Sequence, residues 1–284
     1  MNRPTARDVL GASASFDRRT FLASSATVGA FLLGAGEATA KSSTPVTVKE
    51  RIFSIDGGRE PIPCALWMPD GAEGPRPLVL MGHGGGGSKK SEKLVALAER
   101  FVRRGYAVAA IDQPNHGERA SEEFLPENIA ETRRRLGLAE MTRRTHAATP
   151  QSVEDWGITL NYLQQLPEIG AGGPVAYYGV SLGTRYGVPF VAAEKRISAA
   201  IFGLFGFNDT LDPEAMKAAA LRIEVPLLYF HQWNDQFVKL EGVLAMYEAF
   251  ASKEKSLHIN PGRHTEMPLF EQDAMERFLA RHLG

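Results

Sequence analysis

The sequence has almost no cysteine. Cys64 is the only one in 284 residues, so no disulfide can form within the chain and the fold must rest on packing. The thiol itself reads as a small buried apolar group. An excess of one charge is missing too: 32 Lys and Arg stand against 33 Asp and Glu, for a formal net charge of -1. With no long basic run, there is no electrostatic footprint for nucleic acid. No apolar run reaches the roughly 20 residues that a bilayer-spanning helix needs. The seven histidines are scattered, with neither H-E-x-x-H nor paired cysteines, so no metal ion is expected. What remains, 44% hydrophobic and 23% charged residues, is the composition of a globular chain with a real core. A small neutral or mildly charged partner fits it best.

The first forty residues read differently from the rest. Phe16 to Leu22 are F-D-R-R-T-F-L, an apolar stretch rich in small residues runs from Leu22 to Gly36, and Ala38-Thr39-Ala40 precedes Lys41. This order resembles a twin-arginine export signal with a small-x-small cleavage site. About 15 apolar residues interrupted by Gly29, Gly34 and Gly36 are short for a membrane span. The expectation is a signal over residues 1–40, a product that is periplasmic or extracellular, and no stable membrane insertion after cleavage. Cleavage takes formal charge from -1 to -2 by removing Arg3, Arg7, Arg18, Arg19, Asp8, Asp17 and Glu37.

Over residues 41–284 the pattern is that of one α/β domain. Val46 to Ile55 and Ile62 to Met68 flank Asp56-Gly57-Gly58, a turn signature that predicts an antiparallel pair. Further short apolar runs lie at Leu78 to Met81, Ala107 to Ile111, Val175 to Tyr178, Ile197 to Leu204, Leu227 to Phe230 and Ser256 to Ile259. They are continuous rather than alternating, as strands covered on both faces should be. Helical spacing separates them: Leu94, Leu97, Ala98 and Phe101; Val153, Trp156, Leu160 and Leu163; Val243, Tyr247 and Phe250; Phe270, Ala274 and Phe278. Strands alternating with helices predict a mostly parallel sheet with helices on both faces. The charged segment 118–148, which includes Arg133-Arg134-Arg135, breaks the alternation and reads as a helical insertion, either a solvated decoration or a cap over the site.

Three segments carry chemistry. Gly179-Val180-Ser181-Leu182-Gly183 follows a predicted strand and opens a helix, the context in which a G-x-S-x-G turn pushes its serine hydroxyl out of the sheet. Serine is a poor nucleophile at neutral pH, so it needs a base and a group that fixes the base's tautomer. His264, in Pro261-Gly262-Arg263-His264-Thr265, follows the last predicted strand, and Asp235, in Trp233-Asn234-Asp235-Gln236, follows the one before. His258 is an alternative base; Asp209 and Glu266 are alternative acids. The third segment, His83-Gly84-Gly85-Gly86-Gly87, lacks the Gly-Lys-Ser/Thr of a phosphate loop and follows a strand.

With nucleophile, acid and base in the order Ser, Asp, His, residues 46–284 resemble the α/β-hydrolase superfamily, nearest its dienelactone-hydrolase-like and single-domain esterase branches. The resemblance implies the α/β-hydrolase fold and an acyl-enzyme mechanism without cofactor. In it Ser181 is nucleophile, His264 base and Asp235 acid, and the oxyanion is held by the amides of Leu182 and of Gly84 or Gly85. It implies small or medium carboxylic esters as substrates, although dienelactone hydrolases usually carry cysteine where Ser181 stands. His83 braces its loop, and His116 belongs to a structural His-Gly turn. Phe205, Phe207 and Trp233 are either pocket or core. The rival activities are an exported serine peptidase or amidase, and a binding protein that lost turnover.

Overall fold

Each of the apolar runs is a strand, and the runs join in one eight-stranded sheet. In chain order they are β1 (Val48–Asp56), β2 (Pro61–Pro69), β3 (Leu78–Gly82), β4 (Ala107–Ile111), β5 (Val175–Val180), β6 (Ile197–Gly203), β7 (Leu227–Gln232) and β8 (Lys255–Asn260). Their spatial order is β1-β2-β4-β3-β5-β6-β7-β8. β2 pairs antiparallel with both β1 and β4, and the neighbours from β4 to β8 are parallel. The structure, a computed structural model, describes residues 46–71, 73–125 and 129–284. The expected export signal lies outside the described residues.

β3, β4 and β7 are buried throughout, which is why their sequences run apolar without alternation. Among the described residues seven α-helices pack around the sheet: α1 (Glu92–Arg103), α2 (Ile129–Ala147), α3 (Thr149–Leu163), α4 (Leu182–Ala193), α5 (Pro213–Ala220), α6 (Leu240–Ala249) and α7 (Leu269–Leu283). Adjacent residues of β5 face opposite ways, as strand geometry demands. Tyr177 packs with Trp156, Phe190 and Phe202 in the core under α3, α4 and α6. Tyr178 joins Phe101, Met275 and Leu279 under α1 and α7. Burying one such side chain contributes roughly 1.5–3 kcal/mol. Arg100 of α1 and Arg104, just past its end, bind Glu276 of α7 at 2.6 Å and tie those two helices together.

Segment 118–148 is helical, as expected, but begins as two 3-10 turns, Gly117–Arg119 and Glu122–Phe124, before α2. Gly137 (φ 75°, ψ 163°) breaks α2 near its middle. The far end of the segment reaches α4: the Tyr186 hydroxyl donates to the Thr145 carbonyl (3.1 Å), and Ala148, Leu182 and Tyr186 form a small buried cluster. α5 was not foreseen. It starts at Asp212, whose side chain accepts the Ala215 amide (2.9 Å), with Pro213 in the first turn. Among the described residues no helix is long and apolar enough to cross a membrane.

Candidate active site

β5 turns into α4 at Ser181, whose φ of 54° and ψ of -109° lie where a residue with a side chain is strained, at a cost of about 1–3 kcal/mol. The surrounding bonds over-determine the turn. Ser181 donates its amide to the Gly203 carbonyl (2.9 Å), and the Thr184 and Arg185 amides return to the Ser181 carbonyl (3.1 and 3.0 Å). The Thr184 hydroxyl sits between the Gly179 and Gly203 carbonyls (2.8 and 2.7 Å). Both glycines of the motif are sterically required: a Cβ on Gly179 would lie 2.4 Å from the Gly183 carbonyl oxygen, and one on Gly183 would lie 2.2 Å from that of Gly82. Leu182 is the first residue of α4, where a helix amide has no intrahelical acceptor.

The glycine loop after β3 passes beside the serine, since a Cβ on Gly84 would come 4.0 Å from that of Ser181. His83 is buried, and its Nε2 accepts the Gln113 amide (3.1 Å). Its proton is therefore on Nδ1, which donates to the Gly84 carbonyl (2.8 Å); the Gly87 amide donates to the same oxygen (3.1 Å). Burial first, then the adjacent His116 ring, push the His83 imidazole down to about 4 and keep it neutral. His116 turns its Nδ1 to the Pro114 carbonyl (2.9 Å), in keeping with a structural turn. Beyond the glycines, the buried Lys89 ammonium meets the Asp112 carboxylate at 2.8 Å and Glu118 at 2.5 Å, and its amide binds Asp112 Oδ1 (2.8 Å).

In the loops after β7 and β8, His264 Nδ1 lies 2.6 Å from Asp235 Oδ2. Asp235 Oδ1 accepts the Phe237 and Val238 amides at 2.8 and 3.0 Å. Burial works to raise the Asp235 carboxyl, but the hydrogen bond from His264 and the two amides outweigh it and hold the group below its ordinary value. Ser181, Asp235 and His264 follow β5, β7 and β8, which run parallel, so all three stand at one edge of the sheet.

The alternative residues are engaged elsewhere. Asp209 Oδ2 accepts the Gly206 amide (3.0 Å) and caps a 3-10 turn, with burial raising its carboxyl. Glu266 Oε2 accepts the Arg263 amide (2.7 Å). His258, on edge strand β8, pairs with Glu271 (3.0 Å). Of the aromatics, Phe205 is buried under the Arg185 guanidinium and Phe207 packs on the core, whereas Trp233 is exposed. Sequence reasoning missed two neighbours of the site. His231, buried at the end of β7, has its Nδ1 3.8 Å from Asp235 Oδ2 with no hydrogen-bond partner, and burial keeps it neutral. Phe237 stands edge-on to His264, ring centroids 5.3 Å apart at 83°. Position four before the acid was the available signal for His231; nothing in sequence distinguished Phe237 from core.

The sheet order, the strained serine at the β5–α4 turn and the hydrogen-bonded histidine-aspartate pair define an α/β hydrolase. Residues 62–262 match the dienelactone hydrolase family, and the chain belongs to it. Among solved structures, a cold-adapted esterase from an Arctic intertidal metagenomic library is 31% identical, with a TM-score of 0.71 over 86% of this chain and 98% of that one. Est1E from Butyrivibrio proteoclasticus, solved with ferulic acid, shares the fold at 17% identity, with a TM-score of 0.62 over 81% of this chain and 98% of its own. A curated relative, the quorum-quenching protein AidA of Acinetobacter baumannii, is 28% identical over 125 residues, 44% of this chain and 34% of that protein. The chain thus spans about a third of the length of that relative. Family and fold together make the protein a hydrolase with esterase relatives.

Proposed function

We propose that the protein is a serine esterase that cleaves small or medium carboxylic esters through an acyl-enzyme. Ser181 attacks the ester carbonyl while His264 Nε2 takes its proton, and Asp235 stabilises the imidazolium without becoming protonated. The oxyanion is received by the Leu182 amide and by the glycine loop. There the Gly84 carbonyl is held by His83 and Gly87, and a trans peptide then turns the Gly85 amide the opposite way. This favours Gly85 over Gly84 as donor. Each oxyanion donor is worth about 100- to 1000-fold in rate, and the base about 100- to 10,000-fold. His264 next protonates the leaving alkoxide and activates the water that releases the acid. No cofactor enters these steps.

The observation that carries the reading is the 2.6 Å bond between His264 and Asp235 at the sheet edge that bears Ser181. A fluorophosphonate probe should label the wild-type protein and fail on Ser181→Ala. Labelling that survives the substitution refutes the assignment. Short p-nitrophenyl acyl esters should be turned over in preference to aminoacyl anilides; selective anilide hydrolysis would make the protein an amidase. We read residues 1–40 as an export signal, and N-terminal sequencing of the exported protein should begin at Lys41. Segment 118–148 is read as a cap, on the strength of its contact with α4.

A further inference from the structure

Folding leaves few large apolar side chains in solvent, and among the described residues four of ten such side chains lie on the two segments that carry the acid and the base. They are Trp233 (67% exposed) and Phe237 (60%) around Asp235, and Leu269 (69%) and Phe270 (56%) just after His264. Phe237 is the best placed of the four. Its amide donates to Asp235 Oδ1 (2.8 Å) and its ring lies roughly perpendicular to the His264 imidazole, centroids 5.3 Å apart, so an otherwise solvent-facing aromatic is fixed to both members of the pair. A preorganised apolar wall binds without an ordering cost.

The side of the substrate this wall faces follows from the proton path. His264 must hand its proton to the leaving alkoxide, so the alcohol portion of the ester lies against the imidazole, while the carbonyl oxygen is drawn to Leu182 and the glycine loop. We infer that Phe237 is a specificity-determining residue for the alcohol portion, and that the site takes esters of apolar, aryl-bearing alcohols. The inference rests on the triad reading given above.

The test uses butyrate esters of ethanol, hexan-1-ol and 2-phenylethanol, primary alcohols that differ mainly in apolar size, with released acid titrated. In the wild-type protein kcat/KM should rise from the ethyl to the phenylethyl ester by about tenfold or more, the size expected for covering one aryl group. In Phe237→Ala that ratio should fall to about two- or threefold. The ratios among ethyl acetate, butyrate and octanoate should match wild type, because the acyl side is untouched. Phe237→Leu should retain part of the alcohol preference. A flat alcohol series in the wild type, an unchanged ratio in Phe237→Ala, or an equal change in the acyl series overturns the inference. So does sedimentation showing a dimer that Phe237→Ala dissociates, since the ring would then be covered by a second copy. If Phe237→Ala does not fold, inhibition of the wild type decides: 2-phenylethanol should compete at far lower concentration than ethanol, and equal potency refutes the wall. Fluorophosphonate labelling separates the two levels. A labelled enzyme with a flat series loses only the inference, whereas an unlabelled protein without ester turnover loses the triad.

Discussion

His264 Nδ1 and Asp235 Oδ2 are 2.6 Å apart, and the other carboxylate oxygen is pinned by the Phe237 and Val238 amides. The imidazole therefore has its Nδ1 proton fixed and presents Nε2 as a base. Asp235→Asn preserves the shape but can reverse the tautomer, and turnover should fall by about 10,000-fold. Asp209→Asn should keep turnover within a few-fold, because the Gly206 amide that Asp209 accepts at the cap of a 3-10 turn goes to an oxygen that Asn retains. Since the Asp235 carboxyl is held low, the acid limb of kcat/KM should show the loss of one proton, not two. Steady-state rates of both variants across pH check this; a larger loss in Asp209→Asn would reassign the acid.

His83 gives the fold a pH dependence of known sign. Its folded pKa, about 4, is depressed from 6.5 by burial and His116. Its stabilising contribution is complete above the unfolded value and is lost as pH falls toward 4, because the unfolded chain takes up the proton first. The loss integrates to roughly 3 kcal/mol. Urea unfolding of the wild type should therefore weaken between pH 6.5 and 4 by about that amount more than unfolding of His83→Gln. Parallel curves for the two proteins would show that His83 is protonated in the folded state.

The strands were legible because a sheet covered on both faces needs continuous apolar runs, and the elbow because two backbone crossings admit only glycine. The Ser, Asp and His positions followed from where strands end. What stayed hidden depends on distance in sequence. Nothing local marks Lys89 as the partner of Asp112, or tells an aromatic against His264 from one in the core. Phe205 and Trp233, weighed equally from sequence, went opposite ways. α5 was missed although Asp212-Pro213 is a start signal, because eight residues offer too few turns for periodicity to register.

The elbow glycines make a steric prediction with an internal control. A methyl at Gly179 or Gly183 meets backbone atoms at 2.4 and 2.2 Å, which no rotamer change relieves. Gly183→Ala should cost more than the ~1–3 kcal/mol typical of overpacking, with little soluble protein at 37 °C. A methyl at Gly85 meets nothing within 4 Å, so Gly85→Ala should unfold within about 1 kcal/mol of wild type. Thermal melts decide, and an equally stable Gly183→Ala would mean that the turn can open.

Lys89 and Asp112 form an ion pair whose side chains are 2% and 0% exposed. Burial works against the Lys89 charge, but the hydrogen bonds it donates to Asp112 and Glu118 more than offset it, and its pKa is raised. Lys89→Met leaves the Asp112 carboxylate buried with only the Lys89 and Glu118 amides. Breaking such a pair costs about 3–5 kcal/mol, and the surviving amides place this case near the lower end. Replacing both residues, Lys89→Met with Asp112→Leu, removes the stranded charge and should recover part of that loss in urea unfolding. Because Lys89 closes the glycine loop, activity in Lys89→Met should fall at temperatures where the fold is still intact. If Lys89→Met instead unfolds like wild type, the pair contributes nothing, and the loop is held by His83 alone.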